Sequence, residues 1–165
     1  MKLIKRLTIF FLGLLGEWIF SRYLSFRGLN PQILLILTIN VAAVSGAVEA
    51  MIFGFFWGLL WDALSLKLFG ARALVLTLIS YGLGLLRKQV DMNTPASQAI
   101  VAVVATILYR LILGLVFLIF SGQFLWVGWL VFILEPLYNG FFCFILAALR
   151  PNSYLPAPRF RSIAS

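Results

Sequence analysis

Between Gln32 and Leu66 the chain runs for 35 residues with only two charged side chains, Glu49 and Asp62. A membrane-spanning helix needs about 20 apolar residues. At a rise of about 1.5 Å per residue this stretch would reach roughly 52 Å, too long for one crossing. The chain must turn back inside it, and Ser45 with Gly46 is the best place. Other apolar runs, such as LVLTLIS, are equally unbroken. A transmembrane β-barrel would alternate apolar and polar residues, so the runs are helices that satisfy their own backbone in lipid. Composition agrees: 63% of the 165 residues are hydrophobic and 11% charged, against about 45–50% and about 25% in soluble domains.

The expected fold is all-α: an integral membrane bundle of about six transmembrane helices with short loops. The helices are predicted at Leu7–Leu24, Gln32–Val44, Ala47–Leu66, Ala71–Leu86, Ala96–Phe120 and Phe124–Leu149. Asn30 with Pro31, and Thr94 with Pro95, read as an N-cap followed by proline at the first helical position. Pro136 predicts a kink in the sixth helix. Lys2, Lys5 and Arg6 before an apolar run resemble a signal peptide, but no small-residue cleavage site follows, so the segment reads as a retained anchor. Residues 1–150 form the transmembrane domain, and 151–165, with Pro151, Pro156 and Pro158, a flexible cytoplasmic tail. With the N-terminus cytoplasmic, Lys2, Lys5, Arg6, Arg87, Lys88, Arg150, Arg159 and Arg161 lie inside, and Arg22, Arg27, Lys67 and Arg72 outside. The positive-inside rule therefore puts both termini in the cytoplasm. The net charge of +8 fits loops facing anionic membrane lipids rather than nucleic acid.

Charges within the spans need a reason, since each costs roughly 2.5–3.5 kcal/mol at the bilayer centre. Arg110 and Glu135 fall near the middles of the fifth and sixth helices, at similar depth if those helices are antiparallel neighbours. They are expected to pair, either as a structural ion pair or as a site that a partner or ligand engages. Gly46, Ala50, Gly54, Gly58 and Asp62 recur every four residues along the third helix. Such a small-residue stripe lets backbones approach closely in lipid, serving internal packing or a partner's helix. Asp62 and Arg72 face each other across a turn containing Gly70 and are expected to form an ion pair that fixes the hairpin. Asn139 could hydrogen-bond across helices. Glu17 and Glu49 lie near predicted helix ends and are expected to reach water. The five tryptophans mostly fall toward span ends, as interfacial anchors do.

Catalytic constellations are hard to assemble from this inventory. Histidine is absent, which removes the commonest general base and metal ligand. Asp62 and Asp91 are the only aspartates, on opposite sides of the predicted membrane, so an aspartyl dyad does not form. No acid cluster suits Mg²⁺, and Gly82 with Gly84 in an apolar helix is no phosphate loop. Cys143 stands alone and reads as a small apolar filler. No enzyme activity, cofactor or metal is expected.

The stretch Gly54 to Leu86, GFFWGLLWDALSLKLFGARALVLTLISYGLGLL, resembles the rod shape-determining protein MreD family. That family shows a glycine pair, an aspartate, a short turn ending in glycine and a small-residue-led helix. Gly54, Gly58, Asp62, Gly70 and Ala73 occupy those places. Pro31 before the aliphatic run Leu34–Leu37, and Asn139 before an apolar run ending at Leu149 and Arg150, are similar to the family as well. Arg110 in mid-helix departs from its pattern. The resemblance implies a non-catalytic bacterial inner-membrane protein of the cell-elongation complex. It implies MreC as a direct partner, with MreB filaments, RodA and RodA's transpeptidase partner as fellow members. A rival reading is a small-molecule-binding membrane subunit, similar to the substrate-capture component of vitamin importers. That function requires a cavity with convergent polar groups. A third reading, a lipid-modifying enzyme, requires turnover that depends on Asp62 or Glu135.

Overall fold

The computed structural model describes residues 8, 11, 13–19, 32–64, 68–87, 89–90, 94–126 and 128–149. These residues form six helices: α1 (residues 13–19), α2 (Ile33–Ser45), α3 (Ala47–Leu64), α4 (Ala71–Leu86), α5 (Pro95–Ser121) and α6 (Trp129–Ala148). The basic N-terminal residues, the Asn30–Pro31 cap and the tail 151–165 lie outside the described residues.

Helices α3, α5 and α6 are long and apolar enough to cross a membrane. Helices α2 and α4, with 13 and 16 residues, reach only about 20 and 24 Å, short of the roughly 30 Å hydrocarbon core. Two antiparallel hairpins, α3–α4 and α5–α6, carry the most extensive contacts, and α2 packs between them. Leu35, Ile36 and Ile39 of α2 meet Val75 and Leu76 of α4 and Ala102, Ala105 and Tyr109 of α5 in one core cluster.

Polarity is distributed inside out. Glu17, Asp62, Gln98, Glu135, Asn139 and Thr106 are buried, whereas Ile119, Phe120, Val48 and Trp129 are more than two-thirds exposed. Water would strongly disfavour that surface; hydrocarbon favours it and drives the polar groups to one another.

The turn between α2 and α3 is the single residue Gly46, at φ 97°. Only glycine adopts that conformation without strain, so Ser45–Gly46 reverses the chain where the long apolar run had to break. Helix α6 begins at Trp129, five residues later than predicted from hydropathy. Gly128 at φ 89° cannot join the helix. The preceding segment folds back: Phe124 fills the space above Gly114, and Trp126 packs edge-on to Trp129 at 4.8 Å. Apolarity alone does not separate such a packed aromatic loop from a helix turn. Pro136 lies inside α6 without ending it.

Candidate functional site

Helix α2 starts inside the bundle, beside the middle of α6 rather than its end. The first N–H groups of a helix have no partner within it, and in lipid each unsatisfied group costs several kcal/mol. Two other helices supply acceptors. Asn139 Oδ1 of α6 accepts from Gln32 N–H at 3.0 Å, and Glu17 Oε2 of α1 accepts from Leu34 N–H at 3.1 Å. Both acceptors are buried. A carboxylate at this end also meets the positive pole of the helix dipole. Glu17, expected to reach water, instead lies inside the protein as this cap.

The same device recurs at α4. Asp62 Oδ2 of α3 accepts from the backbone N–H groups of Arg72 and Ala73, at 2.9 and 3.1 Å. The expected Asp62–Arg72 contact is made through the Arg72 backbone N–H, with the guanidinium charge acting on the carboxylate from nearby. The Arg72 guanidinium lies over the Trp61 ring, 5.9 Å from its centroid, in cation–π geometry. Gly70 provides the left-handed entry to the helix at φ 88°. Asp62 fixes the α3–α4 hairpin as a cap on the first turn of α4.

Arg110 and Glu135 meet. Arg110 Nε donates to Glu135 Oε2 at 2.6 Å, and Arg110 Nη2 donates to Oε1. Gln32 Nε2 also donates to Oε1, at 3.0 Å. Glu135 is fully buried, and the Arg110 side chain is 19% exposed. Bidentate pairing is the strong form of this contact, and it links α5 to α6 while Gln32 adds α2. Asn139 extends the network, donating from Nδ2 to Thr106 Oγ1 at 3.2 Å. One polar core therefore joins α1, α2, α5 and α6. Gln32 and Thr106 were not singled out by sequence, and Glu17 was assigned to water; the usable signal was a glutamate and a glutamine beside otherwise apolar runs.

The small-residue stripe is consumed internally. Ala50, Gly54, Gly58 and Asp62 are buried. A Cβ at Gly58 would lie 2.6 Å from Ala73 N, and one at Gly54 3.1 Å from Leu76 O. Both glycines hold α3 against α4, so this stripe is not a free docking face. Trp57, expected among the interfacial anchors, is fully buried, tilted against Phe53 with ring centroids 5.2 Å apart and pressed against Gly13. Cys143 is buried, with Sγ donating to Gln98 O at 3.5 Å.

Between these elements lies a cavity of about 30 Å³ lined by Glu17, Gln32, Trp61, Arg72 and Tyr109 among others. It has room for about one water molecule. Gln32 Oε1 and Arg72 Nη1 are buried without a hydrogen-bond partner among the described residues. A small-molecule site is usually some 300–1,000 Å³.

The family model of the rod shape-determining protein MreD matches residues 3–149. The chain belongs to the MreD family. No curated protein and no solved structure matches it. In this MreD-family chain the quoted motif has a physical reading. Gly54 and Gly58 permit the close approach of α3 and α4, Asp62 caps α4, Gly70 turns into it, and Ala73 is the residue against which Gly58 packs. Arg110 is matched by Glu135 on the next helix. Membership makes this a membrane protein of rod shape determination, and the apolar helices agree with that.

Proposed function

We propose that this MreD-family chain is a non-catalytic scaffold of the bacterial cell-elongation complex in the inner membrane. In this reading both termini are cytoplasmic. The bundle binds MreC and couples MreB filaments to peptidoglycan synthesis by RodA and its transpeptidase partner. The observation that carries the reading is the family match over residues 3–149. The chemistry is consistent with it. Glu17, Asp62 and Glu135 are each engaged in capping a helix or pairing a cation, and a carboxylate so engaged is poorly placed for proton transfer. The vitamin-capture reading gains nothing from a polar cavity a tenth the usual size.

The test combines depletion with pull-down. Rod-shaped cells should round up on depletion, and MreC should be recovered with the tagged protein. Unchanged shape together with no MreC in the pull-down would sink the reading. An alkaline phosphatase fusion at Ser165 should be inactive, and an active one would reverse the orientation.

A further inference from the structure

Gln32 Oε1 and Arg72 Nη1 are both buried, and neither has a hydrogen-bond partner among the described residues. They come from different parts of the bundle. Gln32 stands at the entry to α2 and ties it to α6 through Asn139 and Glu135. Arg72 stands in the first turn of α4, with its backbone N–H held by Asp62 and its guanidinium over Trp61. Both residues line one cavity, together with Glu17 and Tyr109. A buried polar group left unsatisfied is costly, and a charged one more so.

The chemistry of the walls selects the occupant. The Gln32 amide has a fixed orientation. Glu135, held by Arg110 through both carboxylate oxygens, can only accept, so Nε2 faces it and Oε1 is the acceptor that remains. Arg72 Nη1 is a donor. A partner common to both must donate to Gln32 and accept from Arg72. An anion cannot donate to Gln32 Oε1, and it would also meet the Glu17 carboxylate. A cation would meet the Arg72 guanidinium. Water does both. The cavity, about 30 Å³, clears the ~10–15 Å³ that one water needs, and its walls are polar enough to hold it. We propose that this cavity is a binding site for one ordered water molecule, which accepts from Arg72 Nη1 and donates to Gln32 Oε1 and to the Glu17 carboxylate. Glu17, 8% exposed, already accepts from Leu34 N–H, and a carboxylate has lone pairs for further donors. The water carries the polar core from α1, α2, α5 and α6 across to α4. It also gives the Arg72 charge a hydrogen-bond acceptor within the bundle.

X-ray radiolytic footprinting of the protein in detergent micelles tests the site. Radiolysis turns bound water into hydroxyl radical, which oxidises the side chains beside it, and mass spectrometry locates the products. Tyr109 and Trp57 are both enclosed, 7% and 0% exposed, but of the two only Tyr109 lines the cavity. Trp57 is thus the control for radicals that arrive through the bundle. Tyr109 should be oxidised several-fold faster than Trp57, although indole is the more reactive ring. Leu76 lines the same cavity, and Leu76→Phe should fill it and remove that excess. Arg72→Met keeps the backbone N–H that Asp62 holds but removes the donor, and should lower Tyr109 oxidation as well. Elution as a single species identifies the folded variants, and Arg72→Met serves if the larger ring prevents folding. Equal rates at Tyr109 and Trp57 would overturn the site, and so would an excess that the folded variants keep. An excess that grows when chloride in the buffer is replaced by gluconate would make the occupant an anion and overturn the water.

Discussion

Replacing Glu135 by leucine is predicted to damage this bundle more than its size suggests. The leucine itself suits the membrane, and the loss comes from the groups left behind. Arg110, 19% exposed, loses both of its hydrogen bonds to the carboxylate, and Gln32 Nε2 loses its acceptor. Breaking a buried ion pair from one side costs about 3–5 kcal/mol. An orphaned amide adds about 1–3 kcal/mol. Glu135→Leu should therefore destabilise by about 4–8 kcal/mol, and Arg110→Leu by about 3–5 kcal/mol, since it strands a fully buried carboxylate. The double variant leaves no unpaired charge. Only Gln32 stays unmatched, so its cost should fall to about 1–3 kcal/mol. The double is predicted to be more stable than either single, with a coupling of several kcal/mol. Reversible unfolding in mixed micelles with rising dodecyl sulfate, followed by intrinsic tryptophan fluorescence, reads all four proteins. Single effects that add to within about 0.5 kcal/mol in the double would show that the two groups do not act as a unit.

Asp62→Ala should release the first turn of α4, costing about 1–2 kcal/mol and accelerating amide hydrogen exchange at Arg72 and Ala73. Asp62→Asn, which keeps one acceptor oxygen, should lose less. Gly58→Leu should prevent the α3–α4 hairpin from closing, because its Cβ meets Ala73 backbone, and the protein should fail to accumulate as a monodisperse species in detergent. Gly82→Ala, in open space on α4, should instead be neutral or stabilising by about 0.5–1 kcal/mol in thermal unfolding. Cys143 is fully buried and should resist maleimide in mild detergent, reacting only after denaturation; rapid labelling of the folded protein would contradict its placement in the α5–α6 contact.

The sequence made the helices legible because lipid demands long uninterrupted apolar runs, and the residues that break them, such as Gly46, Gly70 and Arg87, stood out. Helix α4 was predicted with both observed ends, Ala71 and Leu86, since glycine precedes it and arginine follows. The start of α6 was missed because Phe124 and Trp126 are as apolar as the helix, and the deciding fact is the backbone angle of Gly128. At the polar core, Arg110 with Glu135 could be read from depth alone, because an unpaired charge in hydrocarbon is costly. Glu17 could not. Its partner is a backbone N–H seventeen residues away, and backbone donors leave no trace in residue type. Asp62 was placed against the right residue, but for the same reason the form of the contact was not legible: its hydrogen bonds come from the main chain of Arg72 and Ala73. Trp57 was misplaced because amphipathic character marks an interface only when the helix is not enclosed on that side.

The capping of α2 by Asn139 also sets the order in which the chain can be completed. During synthesis α1 through α5 emerge before α6, and until α6 arrives the Gln32 N–H and the Arg110 guanidinium lack the groups that satisfy them in the finished protein. A chain that stops before residue 135 carries these polar groups into the bilayer unmatched. Helix α6 thus closes the bundle chemically as well as sterically, because its Glu135 and Asn139 are the acceptors those groups need.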